Sequence, residues 1–311
     1  MGLETLTETA RPSTVGTFTS SDNLTEQYTT TAVTGGGATT KSLNIKYYWP
    51  VVDDHTEPRP IVFLVALGAW STSNYTIFST EAGYLNGMGV HCAVLDVRIS
   101  TDDPLSDGDN ASHSSLRRAI RAAVFDLDVA VKYTLANHLE NADWTIEPSM
   151  MFFGGSSAGG ITSLLYPQFF PTRPVAGLCP VSVGFGASTG SSPNTATDII
   201  RDQLKYTEVH FRTSGLTFLG GADTTIGTTY IDSYRAKQAS IGGSIVHYDA
   251  DGTHVPYSTF DTSALTGATS MAGAFYNYLS TRCATLPSTA TLRQGGSRWE
   301  RSWLNQQSRF W

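Results

Sequence analysis

The run Gly154-Gly155-Ser156-Ser157-Ala158-Gly159-Gly160 contains a G-x-S-x-G pattern centred on Ser157 rather than Ser156. A hydroxyl so placed can attack a carbonyl carbon when three conditions hold. The backbone must bend sharply to stand the hydroxyl clear, which requires neighbours without bulky side chains, and Gly155 and Gly159 meet that need. A base must take the proton and an acid must orient the base. Backbone N–H groups must meet the oxyanion that forms. Asp223, after Gly220-Gly221-Ala222, and His254, in Asp251-Gly252-Thr253-His254, follow Ser157 in the chain order Ser, acid, His. Asp249 and Asp251 compete with Asp223 but sit too near His254 in sequence to meet it comfortably across a cleft. His247 falls within an expected strand and His210 in an irregular stretch; both read as structural. Ala158 N–H is the expected first oxyanion donor, and Gly68 or Ala69 N–H the second. Trp70, next along, either lines an acyl pocket or simply packs.

Those residues need elements that bring them to one edge. Apolar runs at 61–67, 90–97, 149–153, 175–183, 216–219 and 244–248 read as strands. Helical spacing at 75–88, 116–139, 161–169, 198–204, 231–241 and 266–279 separates them. Alternating β and α units from 60 to 280 predict a mostly parallel sheet covered by helices on both faces, with loops at the strands' carboxyl ends forming the cleft. Residues 1–40 read as Thr-rich peripheral antiparallel strands turning at Gly35-Gly36-Gly37. The alternation Leu43, Ile45, Tyr47 gives another strand, with a hairpin partner expected beyond Pro50. The tail 284–311, with three tryptophans and four arginines, has no periodicity that places it. Asp96, Arg98, Arg121 and Asp126 read as an ion-pair network bracing the sheet.

Composition narrows the partners. A net charge of -7 argues against a nucleic-acid groove or an anionic membrane surface. No apolar run approaches the length of a membrane span. The N-terminus shows neither a basic nor an apolar leader region, which reads as cytoplasmic as written and leaves secretion open. Three cysteines without a CxxC pair indicate neither a disulfide framework nor a zinc ribbon, and Cys92 and Cys179 read as small buried hydrophobes.

With these residues in view, the chain over about 43–282 resembles the α/β-hydrolase superfamily, and within it carboxylesterases near the hormone-sensitive-lipase and acetyl/feruloyl esterase groups. The resemblance rests on the Gly154-to-Gly160 turn, Asp96-Val97-Arg98, Arg121 and Asp126 on the preceding helix, Gly221-Ala222-Asp223 and Gly252-Thr253-His254. It implies a single α/β domain over 1–311 and ester hydrolysis through an acyl-enzyme, with no metal or organic cofactor. Two departures stand out. The usual His-Gly-Gly oxyanion motif reads here as Ala66-Leu67-Gly68-Ala69-Trp70, and Thr-rich strands replace the N-terminal helical cap. The second departure implies an open cleft for bulky aryl or polymer-borne esters. Amide, peptide or formamide cleavage by the same triad stays open, as does a hydrolase-like binding protein without turnover.

Overall fold

The computed structural model describes residues 23–33, 40–50, 58–87, 89–104, 114–139, 145–183, 215–220, 245–250 and 271–285. In chain order the strands are β1 (Asn23–Ala32), β2 (Thr40–Tyr48), β3 (Arg59–Val65), β4 (Leu67–Gly68), β5 (Thr72–Ser73), β6 (His91–Leu95), β7 (Ile146–Ser156), β8 (Gly177–Val181), β9 (Gly215–Gly220) and β10 (Ile245–Ala250). The α-helices are α1 (Ser79–Gly87), α2 (Ser115–His138), α3 (Ala158–Phe169) and α4 (Met271–Thr285). Eight strands form one sheet in the order β1-β2-β6-β3-β7-β8-β9-β10, antiparallel across β1-β2-β6 and parallel from β6 to β10. The predicted mostly parallel sheet is therefore present.

Period-two alternation explains why both faces are covered. In β3, Ile61, Phe63 and Val65 pack on the face carrying Ile120, Val124 and Leu127 of α2 and Leu164 and Leu165 of α3. Val62, Leu64 and Ala66 pack on the opposite face with Phe78, Ala82 and Leu85 around α1 and Phe275 and Leu279 of α4. A strand buried on both sides must be apolar at every position, which is why it read as an uninterrupted run. Cys92 and Cys179 are buried as expected, and so is Cys283.

Several boundaries and one pairing differ from the sequence expectation. The hairpin partner expected after Pro50 is not adjacent to β2: β6 lies between β2 and β3, and the antiparallel partner of β2 on its other side is β1. Pro60, which has no N–H for a ladder, sits where the β3–β7 register shifts between Arg59 and Ile61. The helix expected from residue 75 starts at Ser79, because Asp96 Oδ1 accepts Tyr75 N–H (2.8 Å) and Asn74 Oδ1 accepts Thr76 N–H (3.0 Å), which holds this stretch in a turn. Leu67, expected to end the buried strand, and Gly68, expected in the loop after it, instead pair with Ser73 and Thr72 as a small separate hairpin. The helices expected at 198–204 and 231–241 and the tail 284–311 lie outside the described residues, apart from the last turn of α4.

One buried acid makes stability depend on pH. Glu81 on α1 is 5% exposed and its Oε2 has no hydrogen-bond partner. Burial pushes its carboxyl up from 4.5 to about 7. The native state then holds a proton that the unfolded chain has released, so stability falls as pH rises from about 4.5 to about 7 and stays lower above that window. Glu81→Gln keeps the size and removes the ionisation. Relative to the parent, it should gain about 2 kcal/mol more in urea unfolding near pH 8 than near pH 5. An equal difference at both pH values would rule ionisation out as the cause.

Candidate active site

The order of the strands sets where a ligand can bind. From β3 the chain crosses outward to β6, and from β7 it continues to the other side, to β8, while β3 and β7 lie side by side. The crevice outside the carboxyl ends of such a divergent pair is the expected binding position in an open parallel sheet. Val65 is level with Gly155, so the chain leaving β3 through Leu67, Gly68 and Ala69 and the chain leaving β7 through Ser157 emerge together.

Ser157 turns the chain from strand into helix. Its backbone lies at φ 51°, ψ -121°, a region costly for a residue with a Cβ, on the order of 1–3 kcal/mol. The surroundings hold it there: Ser157 N–H donates to Val181 O at the end of β8 (2.9 Å), and Ser157 O accepts Ile161 N–H as α3 begins (3.0 Å). The Ser157 side chain makes no capping bond to the helix, and the residue is partly exposed between buried neighbours. Ala158, Gly159 and Gly160 form the first turn of α3, whose N–H groups have no partner within the helix. Ser163 Oγ donates to Gly154 O (2.7 Å) and pins that turn onto β7.

The glycines of the turn are needed for contact as much as for bending. A Cβ on Gly159 would overlap the Val65 carbonyl oxygen, and one on Gly155 (φ 140°) would lie 2.7 Å from the same oxygen. At Gly159 α3, and at Gly155 β7, touch the end of β3 through backbone alone.

The opposite wall is the β4–β5 hairpin. Ala69 (φ 49°) and Trp70 (φ 54°) form its left-handed tip, closed by Ser71 N–H to Gly68 O (2.9 Å) and tied to the chain after β6 by Ser100 N–H to Trp70 O (2.7 Å). Gly68 is partly exposed, Ala69 exposed and Trp70 only 4% exposed, with an indole N–H that finds no partner. Trp70 packs in the core cluster. Among the described residues, the non-glycine positions with positive φ are Ala69, Trp70, Asp103, Ser157 and Ser182, and each follows the carboxyl end of β3, β6, β7 or β8. Backbone strain is thus concentrated on one rim.

The expected four-residue ion-pair network resolves differently. Arg98 and Asp126 are both buried and joined by bonds of 2.8 to 3.1 Å, with Arg98 N–H also donating to Asp126 Oδ2 (2.7 Å), so the loop after β6 is fastened to α2. Arg121 lies 5.7 Å from the ring centres of both Phe125 and Phe169. The Asp96 carboxyl holds the β4–β5 hairpin through Tyr75 N–H and Ser73, and it also meets the Asn44 side chain and Lys41 of β2. Burial raises its carboxyl above the ordinary carboxylate range, against the opposing pull of Tyr75 N–H, Lys41, Asn44 and Ser73.

Asp223 and His254 lie outside the described residues, as do Asp251 and His210. The strands preceding the expected pair are described: β9 ends at Gly220 and β10 at Ala250, both parallel to β8. His247 and Asp249 are within β10, level with Thr217 and Leu219. No cluster of side chains suited to a metal ion occurs among the described residues, and no described helix is long and apolar enough to cross a membrane.

No family model matches the chain, and no curated protein does either. Solved structures do. The chain superposes on an esterase from the planctomycete Thermogutta terrifontis in its propionate-bound form, with a TM-score of 0.52 and 15% identity over 76% of this chain and 85% of that one. The apo form of esterase 2 from the same organism gives a TM-score of 0.54 at 14% identity over 83% and 91%. The form phosphorylated by paraoxon gives 0.53 at 14% over 83% and 90%. The chain has the α/β-hydrolase fold.

Proposed function

We propose that the protein is a serine hydrolase that cleaves carboxylic esters. The observation that carries this reading is the left-handed backbone of Ser157 between a parallel strand and a helix, partly exposed beside the end of β3. In the reaction, Ser157 Oγ attacks the ester carbonyl, His254 takes the hydroxyl proton and returns it to the leaving alkoxide, and Asp223 orients the imidazole. Ala158 N–H and Gly68 or Ala69 N–H stabilise the tetrahedral oxyanion, and water then releases the acid from the acyl-enzyme. Chain connectivity supports the triad: Asp223 and His254 lie three and four residues beyond the ends of β9 and β10, strands that run parallel to β7 in the same sheet.

The test uses covalent chemistry. The T. terrifontis esterase with which the chain shares its fold is phosphorylated by paraoxon. A fluorophosphonate should label this protein once, on the tryptic peptide containing Ser157, and label on any other serine, or none, would overturn the reading. The cleft is expected to accept bulky esters, since β1 is hydrogen-bonded into the sheet edge beside β2. Long-chain and feruloyl esters should be turned over within about tenfold of the short acyl esters. Turnover of only the shortest esters would refute this open-cleft expectation.

A further inference from the structure

The β4–β5 hairpin has little structure of its own: two residues pair with two, and its tip holds two strained non-glycine residues. Something outside must hold it, and Asp96 is central to what does. The Asp96 backbone is fixed from both sides, its N–H donating to Asn44 O on β2 (2.9 Å) and its carbonyl accepting the Tyr28 hydroxyl of β1 (2.6 Å). Its carboxylate reaches into the hairpin, where Oδ1 accepts Tyr75 N–H at 2.8 Å and lies 3.4 Å from Ser73 Oγ. Ser73 Oγ in turn accepts Val97 N–H (3.0 Å) and lies 2.9 Å from Ala66 O, the better placed acceptor for its single proton. Both ends of the hairpin are thereby anchored to the two residues that follow β6.

Given the ester-hydrolase reading, we propose that Asp96 is a positioning residue for the reaction: with Ser73, it sets the hairpin so that Gly68 or Ala69 N–H meets the oxyanion on Ser157. A donor contributes fully only at about 2.7–3.1 Å from the oxyanion, and a misplacement of about 1 Å can cost about a hundredfold. The group does not touch the reacting atoms. Its effect should therefore appear in kcat, with substrate binding left alone.

Three variants test this on the full chain. Asp96→Ala removes the acceptor of Tyr75 N–H; Asp96→Asn retains an oxygen in that place; Ser73→Ala removes the bridge between Val97 and Ala66. Asp96→Ala should lower kcat for a p-nitrophenyl ester and the fluorophosphonate labelling rate by about ten- to a hundredfold, with KM within about twofold. Asp96→Asn should recover most of that loss, a rescue that a role resting on charge alone would not show. Ser73→Ala, the milder change, should cost several-fold in kcat and decides the matter if Asp96→Ala does not fold. Unchanged kcat in the folded variants, a loss in KM alone, or an equal loss in Asp96→Asn and Asp96→Ala would each overturn the proposal. Labelling of the parent at Ser157 separates its failure from that of the hydrolase reading: an unlabelled parent overturns both, a labelled parent with insensitive variants only this one.

Discussion

Replacing Ser157 with alanine should lower kcat for ester hydrolysis by about four to six orders of magnitude and leave a folded protein. The expected loss is large because in the proposed reaction the hydroxyl forms the covalent bond, and no other group there can replace it. What survives is the contribution of the oxyanion donors and of substrate binding, on the order of 10³ over the reaction in water. Stability should barely change, by less than about 1 kcal/mol. The Ser157 side chain does not cap α3, and alanine meets the same cost at φ 51° that serine already meets. Since the proposed Ser157, His254 and Asp223 would act as a unit, adding His254→Ala to Ser157→Ala should cost almost nothing further. The measurements are kcat for a p-nitrophenyl ester, checked against contamination by fluorophosphonate titration, and the thermal midpoint. A variant that hydrolyses at the parental rate would remove Ser157 from the mechanism.

How much of this was legible in the sequence differs by level. The buried strands were, because a strand covered on both faces is apolar at every position, as β3 is. The turn at Ser157 was legible from its context more than from its letters. A chain rich in Gly and Ser meets G-x-S-x-G by chance, so the letters alone carry little. The apolar strand before Ser157 and the apolar helix after it supply the context. The hairpin at 67–73 was not legible, because Leu67 continues an apolar run and nothing in Ala69 or Trp70 announces a left-handed backbone. Such a turn is usually signalled by Gly or Asn; here Ser71 N–H to Gly68 O closes it locally and Ser100 N–H to Trp70 O holds it from outside. Asp96 was misread for a related reason. Its charge suggested Arg98, two residues away, whereas its carboxyl meets a backbone N–H and a hydroxyl near the β4–β5 hairpin together with Asn44 and Lys41 of β2, a convergence that carries no mark in the sequence.

The close approach of α3 to β3 gives the second large effect. Alanine is ordinarily the better residue in a helix, by about 1 kcal/mol over glycine, so Gly159→Ala in the first turn of α3 would stabilise the protein if propensity decided. Packing decides otherwise. The new Cβ would overlap the Val65 carbonyl oxygen and lie 3.0 Å from its carbon, and a strand carbonyl cannot rotate away as a side chain can. Relief requires α3 to move off the sheet, which loosens the bonds that hold Ser157 to Val181 O and Ser163 to Gly154 O. We expect a loss of about 3 kcal/mol in urea unfolding. In the fraction that stays folded, kcat should fall more than tenfold, since the Ala158 N–H is displaced from the hairpin donors across the crevice. Gly68→Ala is the contrasting control for stability. There the Cβ meets Thr72 Oγ1, 2.6 Å away, an exposed side chain that can turn aside, and the cost should stay below about 1 kcal/mol. If Gly159→Ala proved as stable as the parent, the backbone contact between β3 and α3 could not be what fixes the geometry at Ser157.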